Sequence, residues 1–185
     1  MKICKSLNKK IASEIRLGKI AIIPTDTIYG IVAVANDENA VNRVYDIKNR
    51  DKTKPFIILI SDISDLEKFS ISLSINMISQ LSTYWPGPNS LILQCDNPKF
   101  DYLTRGRTAL AFRLPDDKPL REFIRKTGPL VAPSANPEGG LPAVDIESAI
   151  KYFDKKIDIY VDAGKINNLP SHLIDLSGGT PIIYR

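Results

Sequence analysis

Two hydrophobic periods alternate along this chain, and their alternation predicts helices interspersed with strands. Over residues 8–17 the apolar positions Ile11, Ala12, Ile15 and Leu17 recur at helical spacing, and Gly18 closes the segment. An apolar run at 19–23 then reads as a buried strand, with a second extended segment at 31–34. Asn36-Asp37 can cap a helix whose stripe is Ala40, Val41, Val44, Tyr45 and Lys48. The continuous run 56–60 suits a central strand. Residues 66–81 predict one helix, ending before a turn at Trp85-Pro86-Gly87-Pro88. Further strands are predicted at 91–94, 108–114, 130–132, 157–161, 173–176 and 181–184. Further helices are predicted at 118–126 and, behind Asp145, at 146–153. This order predicts an α/β fold in a single domain, residues 1–185, and the short late connections point to a mixed sheet.

Composition narrows the class without choosing a function. Hydrophobic residues make up 43% of the 185 residues and charged residues 25%, the range of soluble globular proteins. No apolar run approaches the ~20 residues of a membrane helix, and the basic start soon turns polar, unlike a secretory signal. Cys4 and Cys95 cannot build a disulfide framework or a cysteine-rich zinc site, which fits a reducing cytoplasm. With His172 the sole histidine, a serine–histidine triad and a multi-histidine metal site are both disfavoured. The net charge of +4 favours anionic partners such as nucleotides, phosphates or RNA. The basic residues are scattered, though, and form no dense stripe.

Candidate chemistry gathers at strand ends. Pro24-Thr25-Asp26-Thr27-Ile28-Tyr29-Gly30 follows the strand at 19–23 and places fixed polar groups at the rim of a sheet, where open α/β folds bind ligands. Pro133-Ser134-Ala135-Asn136 repeats that layout, with hydroxyl and amide groups suited to phosphate or carboxylate oxygens. Each stretch could equally be a simple turn. If the second helix stops near Lys48, its ammonium and the Arg50 guanidinium can converge on one anion; otherwise they are cations at a helix C-terminus. The segment 49–55, with Lys52 and Lys54, reads as a basic loop that either closes over a polyphosphate or is merely solvated. Strand alternation puts Ala109, Ala111 and Arg113 on one shallow face, where the guanidinium would meet a small carboxylate or lie on an edge strand.

Taken in order, Pro24 to Gly30, Lys48-x-Arg50, Trp85-Pro86-Gly87-Pro88, Arg113-Leu114-Pro115, Pro133-Ser134-Ala135-Asn136 and Pro170-Ser171 resemble the threonylcarbamoyl-AMP synthase family, the YrdC/Sua5-like proteins of the TsaC type. The resemblance implies a twisted α/β sheet flanked by helices, with a concave basic groove. It implies a nucleotidyltransferase that joins L-threonine, bicarbonate and ATP into L-threonylcarbamoyladenylate and pyrophosphate, feeding N6-threonylcarbamoyladenosine formation at position 37 of tRNA. Lys48 and Arg50 would be catalytic and, with Ser134 and Asn136, would surround the ATP phosphates, while Ser171 and Arg185 would sit at the nucleotide. Thr25 and Arg113 would hold threonine, Arg113 on its carboxylate, and Tyr29 would line that pocket. Asp26 is then left to hold the turn.

Such a transfer asks mainly for positioning and charge stabilisation, so a site without a histidine base is reasonable. Mg²⁺ would accompany ATP and be held mainly by phosphates, because the sequence shows no carboxylate cluster. Implied partners are the downstream tRNA threonylcarbamoyltransferase machinery and RNA, with no membrane. Three departures stand out: His172 replaces the usual threonine after Pro-Ser, Asn89-Ser90 replaces Leu-Thr, and the C-terminal domain of longer Sua5 proteins is missing. The competing expectation is a non-catalytic module that binds double-stranded RNA or tRNA in RNA or ribosome maturation, whose binding would depend steeply on salt.

Overall fold

The computed structural model describes residues 1–178 and 180–185. Ten strands form one mixed sheet in the order β1-β8-β2-β3-β7-β4-β6-β5-β9-β10. These are β1 (Lys2–Cys4), β2 (Ala21–Ile23), β3 (Gly30–Val34), β4 (Ile57–Leu59), β5 (Asn89–Gln94), β6 (Ala109–Arg113), β7 (Leu130–Val131), β8 (Ile159–Val161), β9 (His172–Asp175) and β10 (Ile182–Ile183). Neighbours β4 and β6 run parallel, as do β5 and β9, while β2–β3, β3–β7 and β5–β6 are antiparallel.

Six helices pack on the sheet, and their ends follow from local polar chemistry. Asn8 caps α1 (Lys9–Arg16), Asp37 caps α2 (Glu38–Lys48) and Asp117 caps α5 (Lys118–Thr127), each accepting a hydrogen bond from a first-turn amide. A capping box of Asp145 and Ser148 starts α6 (Ile146–Phe153). The helix expected at 66–81 is broken. Residues Ile63–Phe69 form a 3₁₀ helix, Ser70 turns into the left-handed region at φ 61°, and Ser74 caps a separate α3 (Ile75–Ser82). The serines that interrupt the apolar pattern offer the backbone caps and turns in place of helix continuation. Sequence reading also missed β1, which pairs in parallel with β8, and the four-residue α4 (Asp101–Thr104).

Period-two alternation gives the sheet two apolar faces. Ile20, Ile22, Ile31, Ala33, Ile58, Leu110 and Phe112 belong to the larger core, with α2 and α6 packed on it. Ala21, Ile23, Val32, Leu59 and Leu130 belong to the smaller one, covered by α1 and α5. That second cover ends partway along the sheet. On the same face, Ile57, Ala111 and Ile92, aligned across β4, β6 and β5, remain half-buried and line an open cavity. No helix among the described residues is long and apolar enough to cross a membrane.

Candidate active site

The two polar strand ends lie side by side. Gly30 and Ser134 form an antiparallel bridge, the Ile31 amide donates to Pro133 O at 2.9 Å, and the Ala135 amide donates to Tyr29 O at 2.9 Å. They form one wall of a cavity of about 890 Å³ whose floor is the uncovered stretch of sheet. Of the residues singled out from sequence, Thr25, Tyr29, Arg50, Arg113, Ser134, Ser171 and Arg185 line this cavity. Lys48 and Asn136 do not.

Lys48 ends α2 because Asn49 adopts the left-handed conformation, φ 50°, that asparagine tolerates. Its side chain turns inward, is 1% exposed, and donates from Nζ to the carbonyls of Ser134 and Asn136 in very short contacts. Burial, reinforced by the Arg50 charge and opposed by Glu138, pulls its pKa down to about 7. Asn136 is likewise turned into its own loop: Nδ2 donates to Pro137 O at 2.9 Å and Gly140 O at 2.7 Å, while Oδ1 accepts from Ser134 Oγ. Lys48 and Asn136 therefore shape the 134–140 loop from behind. They are not brought to one anion with Arg50.

At the deep end, Arg113 and Asp26 form a buried pair with Nη2 to Oδ1 at 3.0 Å and side chains 6% and 8% exposed. Burial pushes the Asp26 carboxyl above its ordinary pKa, with Arg113 opposing, and it pulls the Arg113 guanidinium down, with Asp26 opposing. This corrects the reading of Asp26 as the group that holds the turn: its oxygens accept no hydrogen bond. Thr25 does that work instead. Thr25 Oγ1 donates to Ile28 O at 2.7 Å and accepts from the Thr27 amide at 3.2 Å and from Arg113 Nη2 at 3.3 Å. Tyr29 is also fixed, its hydroxyl donating to Gly164 O at 2.7 Å and accepting from the Ala163 amide at 3.0 Å.

At the open end Arg185 donates from Nε to Ser171 O at 3.0 Å, and Ser171 Oγ lies 2.9 Å from Ser90 Oγ. His172 is exposed and lies outside the cavity lining, so its departure from the threonine expected there falls away from the wall. The basic loop divides. Lys52 pairs with Asp46 at 3.1 Å, whereas Lys54 lines the cavity and is held by Glu138 at 2.7 Å. The second Glu138 oxygen accepts from the Asp51 amide at 2.8 Å, which ties this loop to the 134–140 loop.

A family model described as telomere recombination, Sua5/YciO/YrdC, matches residues 13–185. The chain belongs to this family. It is 32% identical over 176 residues to threonylcarbamoyl-AMP synthase of Pyrococcus abyssi, across 94% of this chain and 52% of that protein. Against the threonylcarbamoyl-AMP synthase of Pseudomonas fluorescens Pf0-1 the identity is 29%, across 91% of both chains. The structure of P. abyssi Sua5 complexed with L-threonine matches with a TM-score of 0.90 at 29% identity, over 100% of this chain and 57% of that one. The chain thus spans about half the length of the P. abyssi protein.

Within this Sua5/YciO/YrdC fold, several cavity residues were not singled out from sequence. Arg107 lines it beside Thr108 and shares strand parity with Ala109, Ala111 and Arg113, so the alternation rule extended by one step would have found it. Phe56 lines it too, hidden in sequence by an apolar run that reads wholly as core. Asp175 is the one carboxylate of the lining, beside the cations Arg50, Lys54, Arg107, Arg113 and Arg185.

Proposed function

We propose that this chain is a threonylcarbamoyl-AMP synthase, converting L-threonine, bicarbonate and ATP into L-threonylcarbamoyladenylate, pyrophosphate and water. The observation that carries the reading is one cavity with two chemically distinct ends. A buried arginine beside a fixed hydroxyl suits an amino-acid carboxylate, and accessible cations at the rim suit a polyphosphate. The kinship with a P. abyssi protein whose structure holds L-threonine supports the same reading.

In this reading threonine lies with its carboxylate on Arg113 and its amine towards the cavity. The free amine captures carbon dioxide derived from bicarbonate. The carbamate oxygen then attacks the α-phosphorus of ATP in line, forming the new P–O bond as the bond to pyrophosphate breaks. Arg50, Lys54 and Arg185 take the charge that shifts onto the leaving oxygens, and Ser134 and Ser171 add hydroxyls. Lys48 and Asn136 act one step back, by holding the carbonyls and turns that set Ser134 in place. Asp175 is the single carboxylate of the lining, and no three His, Cys, Asp or Glu side chains gather as a metal site among the described residues. This donor set does not fit a resident Mg²⁺; a Mg²⁺ entering with ATP would be held by phosphate oxygens.

The product would be consumed in the cytoplasm by tRNA threonylcarbamoyltransferase machinery. Pyrophosphate release from purified protein, with threonine, bicarbonate and ATP omitted in turn, tests the proposal. Release should need all three. Release indifferent to threonine or bicarbonate would overturn it.

A further inference from the structure

Arg50 is held without a counter-ion. Among the described residues no carboxylate oxygen lies within 4.0 Å of its guanidinium, and its one hydrogen bond runs from Nε to Lys54 O at 3.4 Å. What holds it is an aromatic face: the guanidinium carbon lies 5.4 Å from the centroid of the Phe56 ring. Phe56 stacks in turn on Tyr45, with centroids 4.0 Å apart and planes at 21°. Arg105 then stands 4.2 Å over the Tyr45 ring. Phe56 already fills one side of Tyr45, so Arg105 occupies the other. The result is a column of cation, ring, ring and cation.

The column is rigid where it matters. Tyr45 and Phe56 are 1% and 3% exposed, and the Tyr45 hydroxyl donates to Lys54 O at 3.0 Å, the carbonyl that also receives Arg50 Nε. Arg105 reaches its place from a left-handed residue at the end of α4, φ 55°, and hydrogen-bonds Asn42 on α2. A carboxylate in place of Phe56 would occupy the Nη hydrogens and cancel the charge. A ring face fixes the guanidinium and leaves both Nη groups free.

We propose that the Tyr45–Phe56 stack is a seat that presents Arg50 to phosphate oxygens, which makes Phe56 a positioning residue for the polyphosphate end of the cavity. The inference rests on the reading of that end as the ATP site. Isothermal titration with α,β-methylene-ATP, and separately with L-threonine, tests it. Phe56→Leu should weaken binding of the analogue about three- to tenfold and leave threonine affinity unchanged. Phe56→Tyr, which keeps the ring, should bind as wild type. In an Arg50→Ala background, Phe56→Leu should weaken the analogue no further.

Phe56→Met, similar in bulk but without a ring, replaces Phe56→Leu if urea unfolding shows that variant to be misfolded. Unchanged analogue binding in the ringless variant overturns the seat alone. Equal losses for analogue and threonine also overturn it, because they mark a general packing role. No analogue binding by the wild-type protein would overturn the ATP reading and this inference together.

Discussion

Replacing Lys48 by methionine isolates the most unusual ionisation in the molecule. The amine is 1% exposed and faces two backbone carbonyls. A neutral amine has two N–H groups, one for each carbonyl, whereas the ammonium leaves a third donor buried without a partner in a low-dielectric setting. That count agrees with a pKa brought down from 10.5 to about 7. The sign follows from linkage. Between pH 7 and 10.5 the unfolded chain holds a proton that the native protein has released, so native stability rises with pH across this window. At about 1.36 kcal/mol per pH unit, the full gap corresponds to roughly 4–5 kcal/mol. Methionine keeps the length and removes the titration, but it leaves the Ser134 and Asn136 carbonyls unpartnered at a pH-independent cost of about 1–3 kcal/mol each. In urea unfolding at pH 6.5, 8 and 9.5, the stability of wild type relative to Lys48→Met should therefore climb by roughly 3 kcal/mol. A lysine side-chain NMR titration should find the same group changing charge near pH 7. A difference that stays flat with pH would refute the reasoning, because it would show that the carbonyls hold a permanent ammonium.

Two other substitutions probe the ends of the cavity. Glu138→Gln keeps an acceptor for the Asp51 amide but frees Lys54 from its carboxylate, so pyrophosphate measured by calorimetry should bind about two- to tenfold more tightly, with a steeper salt dependence; weaker binding would mean that Glu138 assists anions. Arg113→Gln strands Asp26 with neither charge nor hydrogen-bond partner, and a carboxyl whose native pKa is raised loses stability as pH rises through it, so the deficit relative to wild type should grow between pH 4 and 7 and reach about 3–5 kcal/mol in urea unfolding.

Period-two and period-3.6 patterns made the helices and most strands legible because each of those elements buries one face of its own. The segment at 66–81 misled because its apolar residues keep helical spacing through Ser70, Ser72 and Ser74, whose side chains favour turns and caps. Lys48 carried its own warning. It continues the stripe of Val41, Val44 and Tyr45, which faces the core, so helical phase already pointed its stem inward. The Asp26–Arg113 pair had no such signal. It depends on a strand order that sets β3, β7, β4 and β6 side by side, and period-based reading of one chain does not supply that order. The column at Arg50 was hidden for a similar reason, since Tyr45, Phe56 and Arg105 come from a helix, a strand entry and a turn.

The distribution of charge also bears on turnover. A site that must release pyrophosphate and a labile adenylate cannot afford an uncompensated buried cation, whose attraction for phosphate in low dielectric would be too strong to reverse quickly. The buried arginine, Arg113, already carries Asp26, and the buried lysine, Lys48, is brought towards neutrality and turned away from the cavity. The cations left facing ligand at the rim, Arg50, Lys54, Arg107 and Arg185, are all at least partly exposed, where water and salt soften their pull. Precision then has to come from how these side chains are held more than from the strength of their charge. The ring face under Arg50, the Ser171 carbonyl on Arg185 and the Glu138 carboxylate on Lys54 each restrain a cation without burying it. Loss of one such restraint should loosen the polyphosphate end while the amino-acid end, built on Arg113 and Thr25, keeps its affinity.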